Sequence, residues 1–331
     1  MALIYELVDG ASSAAVASEI LSEAWAPPAI CYTADYLKWQ LSFPGPTSLQ
    51  AVVAFDGNEP VGFAGASWRR MRCGQTLSAV SNVALVSFVA VRPSCRGRGI
   101  AAGLYRRLLS FIREIEAPVI TFAIAGSPGE TILLLSYAEA GFKVRSLGVY
   151  PRYACLARNQ IPPENAGIEL TVNPDDLLSV LPDVVSHCDS DTGILWSDPA
   201  PDQIRHYMND PRPRALLTST TAESGLLQAA WSVRMDVRTP TGEDTMTAIE
   251  TVWLPRTEFN VATLRNFASK VSAWDTRPTA IISLPSLYGY EGSDLRRIGV
   301  RQTGAPFHGY YCESGTPRLP DTFRGTNIEI V

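Results

Sequence analysis

Val89-Ala90-Val91-Arg92-Pro93-Ser94-Cys95-Arg96-Gly97-Arg98-Gly99-Ile100-Ala101 decides how the rest of the chain is read. The run from Ala79 to Val91 is nearly continuous in apolar and β-branched residues, which predicts a central strand buried on both faces. A turn with Gly97 and Gly99 follows, then a helical pattern from about Gly99 to Ile115. Amides at a helix N-terminus, with the helix dipole behind them, form a site for an anion. Glycine lets a phosphate approach the backbone without a Cβ in its way. Arg92, Arg96 and Arg98 add charge suited to a polyphosphate. The turn is neither a P-loop nor a dinucleotide fingerprint, because it lacks both G-K-[ST] and G-x-G-x-x-G.

Working outward, Pro118–Ile124 reads as a second buried strand, and Gly129–Ala140 as a helix closed by Gly141. Phe142–Tyr150 reads as another strand. Strand, glycine turn, helix and strand make a βαβ unit, so the fold class is α/β with a mixed sheet. Upstream lie a strand at 2–8, helices at Ala11–Trp25 and Ala34–Leu41, and a hairpin of Leu49–Phe55 and Val61–Trp68 around Asp56-Gly57-Asn58. The polar Pro-Pro stretch 159–167 reads as a linker. After it, a strand at Ile168–Val172, helices at 177–187 and 202–208, strands at Ala215–Ser219, Leu226–Val237 and Thr245–Leu254, a helix at 261–274, a strand at 280–284, a short helix at 293–298 and a strand fragment at Gly309–Cys312 recur in similar order. The expected organisation is therefore a first domain at 1–158, the linker at 159–167 and a second domain at 168–331.

Length and composition are consistent with this. The chain has 331 residues, more than a single core usually serves, and 46% hydrophobic residues exclude wholesale disorder. No apolar stretch approaches the roughly 20 residues of a membrane span, and MALIYELVDG lacks a basic n-region, so a cytoplasmic location without membrane contact is expected. Six dispersed cysteines without CxxC and three dispersed histidines give no zinc pattern, and no metal is expected. The net charge of −5 is uneven: residues 1–160 carry 14 basic and 11 acidic side chains, a balance that suits an anionic ligand in the first half.

The turn resembles the acyl-CoA motif of GCN5-related N-acetyltransferases (GNAT), [Q/R]-x-x-G-x-[G/A], as Arg96-Gly97-Arg98-Gly99-Ile100-Ala101 after Val89-Ala90-Val91-Arg92-Pro93. A second signature, Y-x-x-x-G-F, is present as Tyr137-Ala138-Glu139-Ala140-Gly141-Phe142. The resemblance implies two tandem GNAT-like domains, the first with the intact motif. The second has Leu254-Pro255-Arg256-Thr257-Glu258 where a glycine cradle belongs, so it resembles a degenerate copy. Paired domains of this kind occur in mycothiol synthases and in enhanced-intracellular-survival-type acetyltransferases, the latter with a third domain for which this chain is too short.

What the resemblance implies about chemistry is direct transfer of an acetyl or other acyl group from acyl-CoA to the amine of a small molecule. The loop residues Arg96, Gly97, Arg98, Gly99, Ile100 and Ala101 would hold the pyrophosphate of acetyl-CoA, and Phe88, Val89, Ala90 and Val91 would pair with the pantetheine arm. Tyr137 would protonate the departing thiolate. The base that relieves the amine of its proton stays open. Candidates are Asp35, His187, Asp189, Asp191, the C-terminal carboxylate of Val331, and Ser87 with a water chain. Trp25, Tyr32, Tyr36, Trp39 and Trp68 precede the motif and would line an aromatic acceptor pocket, with core packing as the alternative for each. Two further readings stay open. One is an aminoacyl-tRNA-dependent transferase, for which Trp68-Arg69-Arg70-Met71-Arg72 with Arg106, Arg107 and Arg113 would contact phosphates. The other is a non-catalytic sensor of CoA or a metabolite. Monomer and homodimer are both admissible.

Overall fold

The computed structural model describes residues 3–73, 77–155, 169–171, 178–180, 182, 194–198, 200–220, 227–253, 267, 280–283, 296, 300–302, 304–315 and 325–327. The apolar run that opened the sequence reading is the axis of the first sheet. Strands β1 (Leu3–Asp9), β3 (Leu49–Asp56), β4 (Glu59–Cys73) and β5 (Leu77–Val91) are antiparallel neighbours in the order β1-β3-β4-β5. Gly57, with φ 65°, turns the β3–β4 hairpin at the expected site. Strand β6 (Val119–Ile124) runs parallel to β5, and helix α3 (Ile100–Glu114) makes the crossover between them. Helix α4 (Pro128–Glu139) leads to β7 (Lys143–Tyr150). Ser127 caps α4 by accepting from the Glu130 amide, with Pro128 at the first helical position, where a missing N–H costs nothing.

A second sheet contains β9 (Glu169–Thr171), β11 (Arg214–Thr220), β12 (Leu227–Thr239), β13 (Gly242–Trp253) and β14 (Ala280–Ser283), with β13 and β14 parallel. Its long meander matches the strands expected at Ala215–Ser219, Leu226–Val237 and Thr245–Leu254 to within a few residues. Two short pieces complete the edges. β10 (Ile194–Ser197) pairs with β4 and with β17 (Gly325–Asn327), while β2 (Ala29–Ile30) crosses over to pair with β12. The linker expected at 159–167, the helices expected at 177–187, 261–274 and 293–298, and the turn at 255–260 lie wholly or largely outside the described residues.

Between the two sheets the chain exchanges strands. β16 (Phe307–Glu313) lies between β6 and β7, antiparallel to both. β8 (Arg152–Cys155) lies between β14 and β15 (Val300–Gln302) in the second sheet. Each sheet thus receives a strand from the other side of the 159–167 segment, and in the same place, next to its parallel pair. β16 is buried on both faces: Tyr310 and Cys312 pack into one core and Tyr311 into another. Pro151, which has no N–H to continue a ladder, separates β7 from β8 and lets the chain change sheets.

One face of the first sheet is covered by α3 and α4 through Leu104, Leu108, Leu109, Leu133 and Tyr137. The opposite face carries α1 (Ala14–Ala24) and α2 (Ala34–Gln40), and its core continues into the second sheet through Ile204, Tyr207, Trp231, Val233 and Ala248. Ile204 and Tyr207 come from α5 (Pro201–Met208). α5 locks onto α2 reciprocally: Trp39 Nε1 donates to the His206 carbonyl at 2.7 Å, and His206 Nε2 lies 2.8 Å from the Trp39 carbonyl, with the two rings stacked.

Candidate active site

The hydrogen-bonded pairing of β5 and β6 runs through Ala84–Val119, Leu85–Ile120 and Val86–Thr121 and goes no further. Beyond Val86 the strands part. The cause is in β5, where the register against β4 slips between Gly65–Ser87 and Phe63–Ala90, so that Ala64 faces both Phe88 and Val89. Phe88 takes the extra step with φ 59°. A left-handed conformation costs a bulky residue about 1–2 kcal/mol, and a bulge is where such strain is stored. The result is a wedge-shaped opening whose β5 wall is backbone that β6 does not engage.

The opening leads to the turn singled out by sequence. Gly97 (φ 79°) and Gly99 (φ 74°) are both left-handed, and a Cβ at either would meet no atom within 4 Å. Conformation, and not crowding, requires glycine there. Gly99 is the N-cap of α3, no side chain caps that terminus, and the first turn holds no acid. The first amides of a 15-residue helix therefore face the opening with their partial positive charge.

The arginines of the turn are more committed than the sequence suggests. Arg92 is buried, donates to the Pro60 carbonyl, and pairs with Glu19 and Glu23 of α1. Arg96 donates to the Ala24 carbonyl. Arg98 pairs with Asp56 at 2.7 Å and remains accessible. Phe88 and Ala90 point into the core shared with the second sheet, Val89 and Val91 pack towards α3 and α4, and Ile100 is buried beneath α3. Ala101 is half-buried on the next residue of the helix.

Tyr137 lies on α4, fully buried, and its hydroxyl has no partner among the described residues. Burial pushes its phenol well above the ordinary range, so it stays protonated. The Thr121 hydroxyl on β6 opposes the shift without forming a well-aligned hydrogen bond, which sets the Tyr137 hydroxyl at the level where β5 and β6 part. A buried hydroxyl without a full partner is a cost that a structure normally avoids, and one at this level fits a ligand atom. Ser87 Oγ, just before the bulge, is likewise buried without a partner, as is Ser67 Oγ diagonally across on β4. Both face away from α3 and α4.

On that side lies a cavity of about 400 Å³ between α2 and the second sheet, lined by Tyr32, Asp35, Tyr36, Arg212, Arg234 and Asp236 among others. Tyr32 packs against Phe88, so the cavity borders the bulge. Arg212 forms bidentate pairs with Asp210 and Glu250 and lies over the Tyr36 ring at 4.3 Å. Of the expected aromatic group, Trp25, Tyr32, Tyr36 and Trp39 belong to this side, whereas Trp68 belongs to the core under α3 and bonds the Thr47 carbonyl. Asp35 is an exposed wall residue of the cavity. His187, Asp189, Asp191 and Val331 lie outside the described residues.

Sequence reasoning missed a cluster where α4 meets β16, beside β6. Glu130 of α4 accepts from the Gly126 amide (2.7 Å), from Tyr310 Oη (2.6 Å) and from His308 Nδ1 (2.6 Å). The pattern Ser127-x-x-Glu130 marks a helix start, but nothing in it shows that β16 arrives alongside. The basic run proposed for RNA contact is neutralised instead. Arg69 is buried over the Phe43 ring, Arg70 pairs with Asp202, and Arg72 lies 3.8 Å from Asp198.

Residues 16–133 match the family model of the acetyltransferase (GNAT) family. The chain carries a GNAT domain. With it the protein is an acyltransferase, of the N-acyltransferase kind in general. No curated protein matches the sequence. Solved structures resemble the fold over almost the whole chain. Saccharomyces cerevisiae N-myristoyltransferase with bound myristoyl-CoA superposes with a TM-score of 0.65 at 9% identity, covering 99% of this chain and 89% of that one. A putative acetyltransferase from Pyrococcus horikoshii gives 0.57 at 14% identity, covering 98% and 94%. A GCN5-related N-acetyltransferase from Kribbella flavida gives 0.52 at 13%, covering 94% and 70%. At these identities the likeness is one of fold. GNAT proteins use acyl-CoA, and the opened β5 edge, the glycine turn and the unpartnered Tyr137 hydroxyl fit that substrate. No group of side chains that could hold a metal ion occurs among the described residues, and no described helix is long and apolar enough to cross a membrane.

Proposed function

We propose that this GNAT protein transfers an acyl group, acetyl in the first instance, from acyl-CoA to the amine of a small molecule. The observation that carries the reading is the parting of β5 from β6 at the Phe88 bulge, directly before the Gly97/Gly99 turn. In this reading the turn and the α3 amides hold the pyrophosphate, and the free edge of β5 from Phe88 to Val91 pairs with the pantetheine arm. An amide of the bulge polarises the thioester carbonyl, an oxyanion-type role. The amine approaches from the cavity on the α2 side, where Asp35 and the tyrosine faces suit a cationic group before it loses its proton. The neutral amine attacks the carbonyl carbon, a C–N bond forms, and the C–S bond breaks. Tyr137 gives its proton to the sulfur. The amine's proton leaves towards the Ser67/Ser87 side or Asp35. Holding both reactants in one geometry supplies much of the acceleration.

The test is free-thiol release from acetyl-CoA across a panel of primary amines, run with wild type and Tyr137→Phe. Amine-dependent release that falls in the variant supports the reading. Tight acetyl-CoA binding without release from any amine would favour a sensor. The acidic partners of Arg70 and Arg72 weigh against a tRNA substrate.

A further inference from the structure

Glu130 is 9% exposed, yet its carboxylate is ionised and fully used: Tyr310 first, then Gly126 and His308, hold it below the usual carboxylate range. His308 donates through Nδ1, which leaves Nε2 directed elsewhere on a ring with 36% of its side chain exposed. A carboxylate that fixes one ring nitrogen and so presents the other is how proteins aim an imidazole.

Register places the ring near the opening. His308 is paired with Ala123 of β6, on the face covered by α4. Continuing the parallel register past Val86–Thr121 places Ala123 level with Phe88 across the opening. Ala123 therefore stands between His308 and the opening along that row. Adjacent strands are about 4.8 Å apart, which brings an imidazole on β16 over Ala123 to the near side of the opening. The opposite wall of the same opening is β5, which leads into the Gly97/Gly99 turn. The neighbours of His308 are Glu130 on α4, Tyr310 on its own strand, Ala123 on β6 and Val149 on β7, so Glu130 is the charged group that faces it.

We propose that His308, positioned by Glu130, binds the pantetheine arm of the acyl-CoA, its Nε2 meeting an amide or hydroxyl of that arm. This rests on the acyl-CoA reading above. It gives the exchanged strand β16 a part in the first sheet's substrate site, so the C-terminal part of the chain supplies a wall that the N-terminal motif lacks.

The test compares two probes by calorimetry. CoA carries the pantetheine arm, whereas 3′,5′-ADP keeps the adenosine phosphates and lacks the arm. With the full chain, His308→Ala should weaken CoA about three- to tenfold, the range of one hydrogen bond, and leave 3′,5′-ADP within about twofold. Glu130→Gln should give a smaller loss in the same direction. In wild type, CoA should shift the ¹⁵N resonances of the His308 ring and 3′,5′-ADP should not, a readout that needs no folded variant. Unchanged CoA affinity with an unshifted ring, or equal loss of both probes, would overturn the proposal. Failure of wild type to bind either probe would instead overturn the acyl-CoA reading on which it rests.

Discussion

Tyr32 and Phe88 meet edge to face, ring centroids 5.3 Å apart with their planes at 72°. The contact joins the strained bulge of β5 to the wall of the inter-sheet cavity, and with it the two sides of the proposed substrate site. Tyr32→Ala should therefore raise the acceptor KM by about tenfold or more while the acetyl-CoA dissociation constant stays within twofold. Steady-state kinetics at saturating acetyl-CoA, with calorimetry alongside, checks this. An equal loss for both substrates would mean that the bulge itself had collapsed.

Tyr137→Phe separates chemistry from stability. The hydroxyl has no partner among the described residues, so its removal should leave the urea midpoint unchanged or slightly higher. Turnover should fall by roughly 10²–10⁴. Because burial raises the phenol pKa, the acid form is present throughout the accessible range, and Tyr137 should contribute no falling limb to the kcat profile below about pH 9. Such a limb, lost in the Phe variant, would contradict this assignment.

Glu130 makes the fold sensitive to acid. Its folded pKa is depressed, so its contribution is present above the ordinary carboxylate range and is lost as pH falls through the lower, folded value. Urea unfolding between about pH 3 and 7 should show wild type losing stability on the acid side, with a shallower loss in Glu130→Gln. Parallel curves would remove the effect from this residue.

Arg212 lies between Asp210 and Glu250 at the heart of the inter-sheet core. Arg212→Met takes from two buried acids the cation they share, which should cost about 3–5 kcal/mol by chemical denaturation. A loss below about 1 kcal/mol would mean that water reaches the pair.

The strand exchange forecasts what truncation does. A chain ending at residue 158 lacks β16 and would leave β6 and β7 with unpaired inner edges. It should be insoluble or molten by near-ultraviolet circular dichroism, and a cooperative thermal transition from it would contradict this.

How much of this was legible follows from range in sequence. The β5–turn–α3 unit and the Tyr137 helix are local: apolar runs, glycines and caps sit within a few residues of what they determine, and their expected bounds hold to within about two residues. The meander of the second sheet was legible for the same reason. The placement of β16 and β8 was not, because a short apolar strand carries no label for the sheet it joins. The His308–Glu130 pair was invisible as a consequence, since 178 residues separate its members. Arg92 and Arg96 looked like phosphate ligands because their partners, Glu19, Glu23 and Ala24 on α1 and Pro60 on β4, are also distant.

The most direct measurement of the central claim is calorimetric titration of the full chain with acetyl-CoA, beside Gly99→Glu. That substitution puts a side chain at φ 74° and a negative charge at the α3 N-terminus. The account predicts micromolar binding (about −8 kcal/mol) by wild type and none by a variant that still unfolds cooperatively. Equal affinity in both, or a folded wild type that binds no acetyl-CoA, would contradict it.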